Sequence, residues 1–360
     1  MTDSVAEQIA ALKDEDWAVR EDAAARLGAA GDARAVPPLI ATLRDSDKAV
    51  RDAAIRSLTA IGDPSVSPLI DCLREPNSVV QESAAAILAD IGDARSVDAL
   101  IGALGSSNWI IRMHAGKGLG RIGEARAAEP LVPLLQDKVK AVRAETAAAL
   151  AQIGKAAVPV LLRSLKHQDW LVRLHAVEAL GRMRSAEAVE PLLHVLFNDQ
   201  DTSVREDAAH ALGEIGSPQA VEFLLVAMQT AGIRPRAIEA LGMIRDPRAI
   251  PALIAVVTGT NAPVQGRPLQ GCGDRHDEEM FAMEAAVKAL AQIGEASVIP
   301  TLVSALQNTV VRAEAAAALK VFGRASIPPL LEVLRRERDA NIVYYVRETL
   351  AQVGWREGRV

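Results

Sequence analysis

One pattern dominates the sequence: a segment of about 31 residues recurs from end to end. VRDAAIRSLTAIGDP at 50–64 returns as VRAETAAALAQIG at 142–154, VREDAAHALGEIG at 204–216 and VRAEAAAALKVFG at 311–323. With the last glycine as anchor, the equivalent positions are 31, 62, 92, 123, 154, 184, 216, 245, 294, 323 and 354. Nine are glycine, and Arg184 and Arg245 stand at the other two. The spacings are 29–32 residues with one exception, 49 residues between Arg245 and Gly294. Such a period is the mark of stacked supersecondary units. Eleven units account for nearly the whole chain, which predicts one repeat array over residues 1–360 in place of two or three globular domains.

Each unit reads as two helices, A followed by B. Helix B is predicted to run from the arginine of the VR pair, eleven residues before the anchor. Counted from that residue, positions −1, +3, +7 and +10 are apolar. Position +7 is leucine in all eleven units, from Leu27 and Leu58 through Leu150 to Leu350. Position +3 is alanine except at Thr146 and Val346. Steps of four, four and three residues put these positions on one helical stripe. Alanine permits close approach and leucine fills the gap, so a unit buries its stripe only by stacking on the next. The anchor glycine suits a left-handed helix end. Asp32, Asp63, Asp93 and Asp246 follow it as N-caps for the next helix. Prolines such as Pro37, Pro159 and Pro251 fall in the first turns of helix A.

The 31-residue period and the VRxxAAxALGxIGDxxAVxPL wording resemble the HEAT-repeat superfamily, and within it the phycobilisome-lyase HEAT-like (E-Z type) repeats. The resemblance covers the full chain. It implies an all-α fold: an α-solenoid, wound as a right-handed superhelix, of about eleven two-helix HEAT-like repeats with helix B lining the concave surface. The matching positions are packing positions, so no functional residue comes with it. Deoxyhypusine hydroxylase resembles this chain in repeat type, but its paired His-Glu iron motifs are absent. The corresponding places read Met113-His114, Leu174-His175 and Glu206-Asp207. Phosphate loops, zinc-spaced CxxC and GxSxG are absent too, so neither a catalytic residue nor a cofactor nor a metal is expected.

The departures from the repeat carry the functional information. The VR arginine is present in eight units, and acids often precede it, as at Asp47, Asp137, Asp169 and Asp201. This reads as a ladder of Arg–Asp pairs tying turns together, in preference to a phosphate stripe. Opposite the buried stripe lie positions +2, +5 and +9, which are expected to face the groove. In the central units they bring His114, Lys117 and Arg121; Glu145; His175, Glu178 and Arg182; His210 and Glu214; and Arg236 and Glu239. Trp109 and Trp170 stand three residues before their arginines, as Trp17 does. Aromatic and arginine side chains of this kind make binding hot spots, and Trp109, Trp170 and these groove residues are the predicted partner-binding set. His114 and His175 are two units apart, roughly 20 Å at helix-packing distances, which is too far for one zinc.

The long spacing places an inserted loop at about 258–277, rich in glycine and proline. It is expected to contact a partner at the groove edge. Its Cys272, Asp274, His276, Asp277 and Glu278 lack the spacing of a known metal site. The chain carries 40 Lys+Arg against 46 Asp+Glu, a net charge of −6 that disfavours a general polyanion binder. Cys72 and Cys272 are too few to staple the fold, which points to a reducing compartment. With no secretory signal in MTDSVAEQIA and no run of 18 apolar residues, a cytoplasmic, non-membrane protein is expected.

The preferred function is a non-enzymatic protein–protein interaction scaffold, holding another protein through the groove of the central repeats and the loop. The family resemblance leaves open a phycobilin lyase-like factor for chromophore attachment or removal, with a bilin as ligand. Nucleic-acid binding, as in HEAT-like proteins with a basic groove, is disfavoured because Glu145, Glu178, Glu214 and Glu239 are interleaved with the cations.

Overall fold

A computed structural model describes residues 4–260 and 275–355. All regular structure among them is helical, and each repeat is an A helix followed by a B helix. The B helices are Trp17–Ala30, Lys48–Ile61, Ser78–Ile91, Trp109–Ile122, Lys140–Ile153, Trp170–Arg182, Thr202–Ile215, Arg234–Ile244, Arg275–Ile293, Arg312–Val321 and Ala340–Gln352. Most begin three residues ahead of the VR position, which makes Trp17, Trp109 and Trp170 the first residues of their helices. The added residues belong to the helix because a side chain one step earlier caps it. Asp16 accepts from Ala18 N, Asp47 from Ala49 N and Asn108 from Ile110 N. The A helices are shorter, for example Val36–Thr42 and Val158–Ser164, and most are entered through a single 3-10 turn.

The anchor ends the helix with a turn to positive φ, and Gly31, Gly92, Gly123, Gly216 and Arg245 do so in the left-handed region. All eleven anchor residues have positive φ, including Arg184 at 49° and Arg245 at 59°, where an L side chain is strained. Asp32, Asp93 and Asp246 then accept from the backbone N–H two residues on and cap the 3-10 turn. Asp63 departs from that expectation. Gly62, at φ 71° and ψ −120°, turns the chain so sharply that Asp63 is already the first residue of the helix Asp63–Cys72.

The leucine at +7 is fully buried in all eleven repeats, and the +3 residue is at most 1% exposed. Position −1 is buried everywhere except Val19, which is 39% exposed. Position +10 is mostly half-buried and contributes less than its periodicity implies. A second packing line runs along positions +6 and +8, where successive B helices meet through small residues. A Cβ added at Gly120 would lie 2.5 Å from Ala149 Cα, and one at Gly213 would lie 2.8 Å from Ala240 Cα. Gly28 stands in the same way against Ser57, Gly181 against Ala211 and Gly242 against Ala289.

The arginine ladder is structural, with a different wiring from the one read in the sequence. Asp47 and Asp201 are N-caps of their own helices, and Asp169 accepts from Leu171 N at 2.8 Å in the same role. The arginine instead reaches back to its own A–B turn, as Arg51 and Arg143 do, and at Arg20 and Arg112 it also reaches forward to the next. Arg112 Nη1 donates to the carbonyls of Ser106 and Ser107, while its Nε and Nη2 grip Asp137 of the following repeat at 2.7 and 2.9 Å. Arg20 and Asp45 repeat this arrangement. Burial is the largest influence on Asp137 and opposes its charge, but the Arg112 hydrogen bond, the Val139 N–H and the positive charges of Arg112 and Arg143 together hold the carboxyl below its usual range. On Asp45 the Arg20 hydrogen bond is the leading cause of the same shift.

The described chain forms two compact units, Met1–Ala179 and Leu180–Val360. The expected insertion begins at the end of the A helix Ile250–Thr258, and its residues 261–274, with Cys272 and Asp274, lie outside the described residues. Its far end merges into the long B helix Arg275–Ile293. There Glu278, 4% exposed, accepts from Gly232 N at 2.6 Å, and Glu279 meets the fully buried Arg234 at 3.3 Å. Glu278 is therefore a structural acceptor for an irregular turn.

Candidate partner-binding face

Positions +2, +5 and +9 fall on the outer side of helix B because −1, +3 and +7 are consumed by the core. In the first unit His114, Lys117, Glu145, His175 and Glu178 are half-buried, and Arg121 is exposed. The +2 position sits deeper than a solvent-facing site would. Ala53, Ser83 and Ala285, its equivalents in other repeats, are buried. Half-burial lowers the pKa of His114, and nearby Lys117 adds to the effect. The Nδ1 of His114 is buried without a hydrogen-bond partner among the described residues.

Several of the expected binding residues hold one another. Lys117 Nζ lies 2.8 Å from Asp90 Oδ1, and Arg121 stands 4.0 Å from the same atom, joining repeats three and four. His175 Nδ1 donates to Glu178 Oε2 at 2.9 Å, which leaves its buried Nε2 without a partner. Glu145 lies between these two groups in the repeat order. Trp109 and Trp170 are 41% and 43% exposed at the helix starts, five residues ahead of the histidines. They occupy the A–B edge and not the B face.

In the second unit His210 Nε2 is 3.9 Å from Glu214, and Arg236 Nη1 is 2.9 Å from Glu239 Oε2. Arg182, at the end of its B helix, is exposed. Glu206, one position ahead of the mapped column, was not singled out by periodicity. It is half-buried beside Asp207, and burial raises its pKa to about 7 in spite of Arg236. A column-by-column reading of +1 as well as +2 would have found it. The exposed ring pair Phe197–Phe223, with centroids 6.4 Å apart on two A helices, was also missed, because helix A was read only for its prolines.

Most of these ion pairs are solvent-exposed, so each holds by no more than about 1 kcal/mol and yields readily to an incoming partner group. The face is suited to polar recognition by side chains of both signs. Among the described residues, no three His, Cys, Asp or Glu side chains converge to hold a metal. No described helix is long and apolar enough to cross a membrane.

A family model for HEAT repeats matches residues 5–86, 66–151, 130–212, 189–267 and 275–354. The chain belongs to the HEAT-repeat family. Comparison with curated proteins gives no match. Among solved structures, this HEAT-repeat chain is similar to Kap95p studied with RanGDP, at a TM-score of 0.64 and 15% identity over 97% of this chain and 57% of that one. It is also similar to Kap121p bound to the extreme C-terminus of the protein phosphatase Cdc14p, at a TM-score of 0.65 and 14% identity over 97% and 45%. The chain spans about half the length of these solenoids. The CpcE–CpcF complex of phycocyanin lyase from Nostoc sp. PCC7120 matches at 26% identity over 62% of this chain and 93% of that one. Its TM-score of 0.35 is too low to bear on function. An all-α solenoid of HEAT repeats is the fold.

Proposed function

We propose that this HEAT-repeat chain is a non-enzymatic scaffold that holds another protein, and that its eleven repeats act as one array. The observation that carries the reading is the division of labour within helix B. Every +7 leucine is spent on the core, while the outer positions of repeats four to eight present half-exposed His, Lys, Arg and Glu side chains held in exchangeable pairs. His114, Lys117, Arg121, Glu145, His175, Glu178 and Arg182 form this face from repeats four to six, and His210, Glu214, Arg236 and Glu239 form it from repeats seven and eight. Trp109 and Trp170 add exposed aromatic area. Kap95p, which acts on RanGDP, and Kap121p, which holds a C-terminal segment of Cdc14p, give this fold a precedent for protein ligands. Mixed charge of this kind sets registry and association rate more than raw affinity.

The test is affinity capture from the source cell with wild type and with Glu145→Lys, His175→Ala and Arg236→Ala variants of unchanged melting temperature. A partner retained by wild type and lost by the variants supports the reading. Equal capture by all four proteins overturns it.

A further inference from the structure

The A–B turns of repeats four to six differ in charge from those of repeats one to three. Segments 12–20, 43–51 and 73–81 hold six Lys or Arg and six Asp or Glu. Segments 104–112, 135–143 and 165–173 hold six Lys or Arg and only two carboxylates, Asp137 and Asp169. Both carboxylates are occupied. Asp137 is gripped by Arg112, and Asp169 caps its own helix. Three ammonium groups, on Lys138, Lys140 and Lys166, are exposed and have no ion-pair partner among the described residues. Glu82, which comes to this edge from repeat three, is held by Asn108 Nδ2 at 2.6 Å.

Exposed indoles flank these lysines. Trp109 and Trp170 each open a B helix, and in the intervening repeat the equivalent first residue is Lys140. The column along the edge therefore reads Trp, Lys, Trp. With neighbouring helices ~8–10 Å apart, the two rings are roughly 20 Å from one another. Neither ring takes part in an aromatic contact among the described residues. The two indoles are 41% and 43% exposed, and a partner that covered them would remove apolar surface from water beside the exposed cations.

We infer that this edge docks an extended acidic segment of a partner protein, with apolar side chains on the two indoles and carboxylates on the lysines between them. The inference rests on the scaffold reading for the kind of partner, and it assigns both the surface and the chemistry of the contact. An extended strand rises ~3.3 Å per residue, so two apolar side chains about six residues apart span the rings. A single-stranded nucleic acid fits less well. Its bases stack on a run of aromatics, and this column is interrupted by Lys140. The chain as a whole is acidic, with a net charge of −6, and would repel a longer polyanion.

The test uses the full chain and a fluorescein-labelled peptide, Gly-Leu-(Glu)5-Leu-Gly, at low ionic strength, read by anisotropy and by quenching of tryptophan emission. Wild type should bind it saturably. Trp109→Ala/Trp170→Ala and Lys138→Ser/Lys140→Ser/Lys166→Ser should each weaken binding by about tenfold or more. Lys155→Ser, an exposed lysine on the opposite edge, should bind as wild type does. All substituted side chains are exposed, so unchanged thermal melts will show that the fold is kept. Absence of saturable binding, equal binding by the edge variants, or tighter binding of a twelve-residue oligothymidylate would each overturn the inference. Because the probe is synthetic, its failure leaves the capture experiment with the B-face variants standing as a separate result.

Discussion

Arg112 closes a two-pronged ion pair on Asp137, at 2.7 and 2.9 Å, across the boundary between repeats four and five. The side chains are only 15% and 9% exposed. The same guanidinium also satisfies two carbonyls of its own turn. Asp137→Ala would strand a desolvated cation, and a loss of about 2–3 kcal/mol is expected, between the values for exposed and fully buried pairs. Urea unfolding of the variant near neutral pH checks this, and an unchanged midpoint would refute it.

The same pairs set the acid limit of the fold. Asp45 and Asp137 have folded pKa values below those of the unfolded chain. Their contribution is present above the unfolded carboxyl pKa, ~3.9, and is lost as pH falls through the lower folded values. Wild type should lose stability over that acid range, and Asp137→Ala should lose less. Parallel acid titrations followed by circular dichroism would show this.

Glu206 works in the opposite direction. Its folded pKa of about 7 lies well above that of a glutamate in the unfolded chain. The stability linked to it is therefore present below the unfolded pKa and is lost as pH rises through about 7. Glu206→Gln should flatten that alkaline loss and be the more stable protein relative to wild type above neutrality. Melting temperatures of both proteins on either side of the window decide it, and identical pH profiles would sink the assignment.

Glycine substitutions should separate by sign. Gly120→Ala drives a Cβ to 2.5 Å from Ala149 Cα, where backbone must move, and should be destabilising by about 1–3 kcal/mol. Gly102 is exposed within the A helix Val97–Ala103, with nothing within 4 Å of a new Cβ. Gly102→Ala should stabilise by about 0.5–1 kcal/mol, because alanine loses less entropy in a helix. Chemical denaturation of both variants tests the contrast.

Arg184 and Arg245 fill left-handed positions that the other nine repeats give to glycine, and both side chains are exposed. Relief of strain in Arg245→Gly should outweigh the added freedom of the unfolded chain, for a net gain of about 0.5–1 kcal/mol. A lower melting temperature would contradict this account of the helix stop.

The repeat and its core were legible because periodicity reports which side of a helix is hidden. Leu150 could be placed in the interior before any coordinates, and it is fully buried. The anchors were equally readable, since few positions favour glycine as strongly as a left-handed stop. The ladder was only half readable. Sequence spacing pairs Arg51 with Asp47, whereas the fold uses Asp47 as a cap and gives Asp45 to Arg20 of the previous repeat. Partner choice between repeats depends on stacking, which a one-dimensional pattern does not contain. The glycines at +8 were visible after the +7 leucine, as in Leu119-Gly120 and Leu212-Gly213, but their role depends on what the adjacent helix brings to +6. The binding face was least legible. Solvent exposure frees its residues from periodic constraint, and ion pairs such as Lys117–Asp90 form only once two repeats meet.

The Arg–Asp joint has a consequence for how such a chain changes length. One repeat supplies the arginine and the next supplies the carboxylate, as Arg20 with Asp45 and Arg112 with Asp137 show. Each joint clamps one particular pair of repeats, one with two and four with five. Removing repeat five alone would set Gln168 where Asp137 stands, because Gln168 lies 25 residues after Arg143 as Asp137 does after Arg112. The clamped pairs are therefore blocks that must be gained or lost whole for the joint to survive.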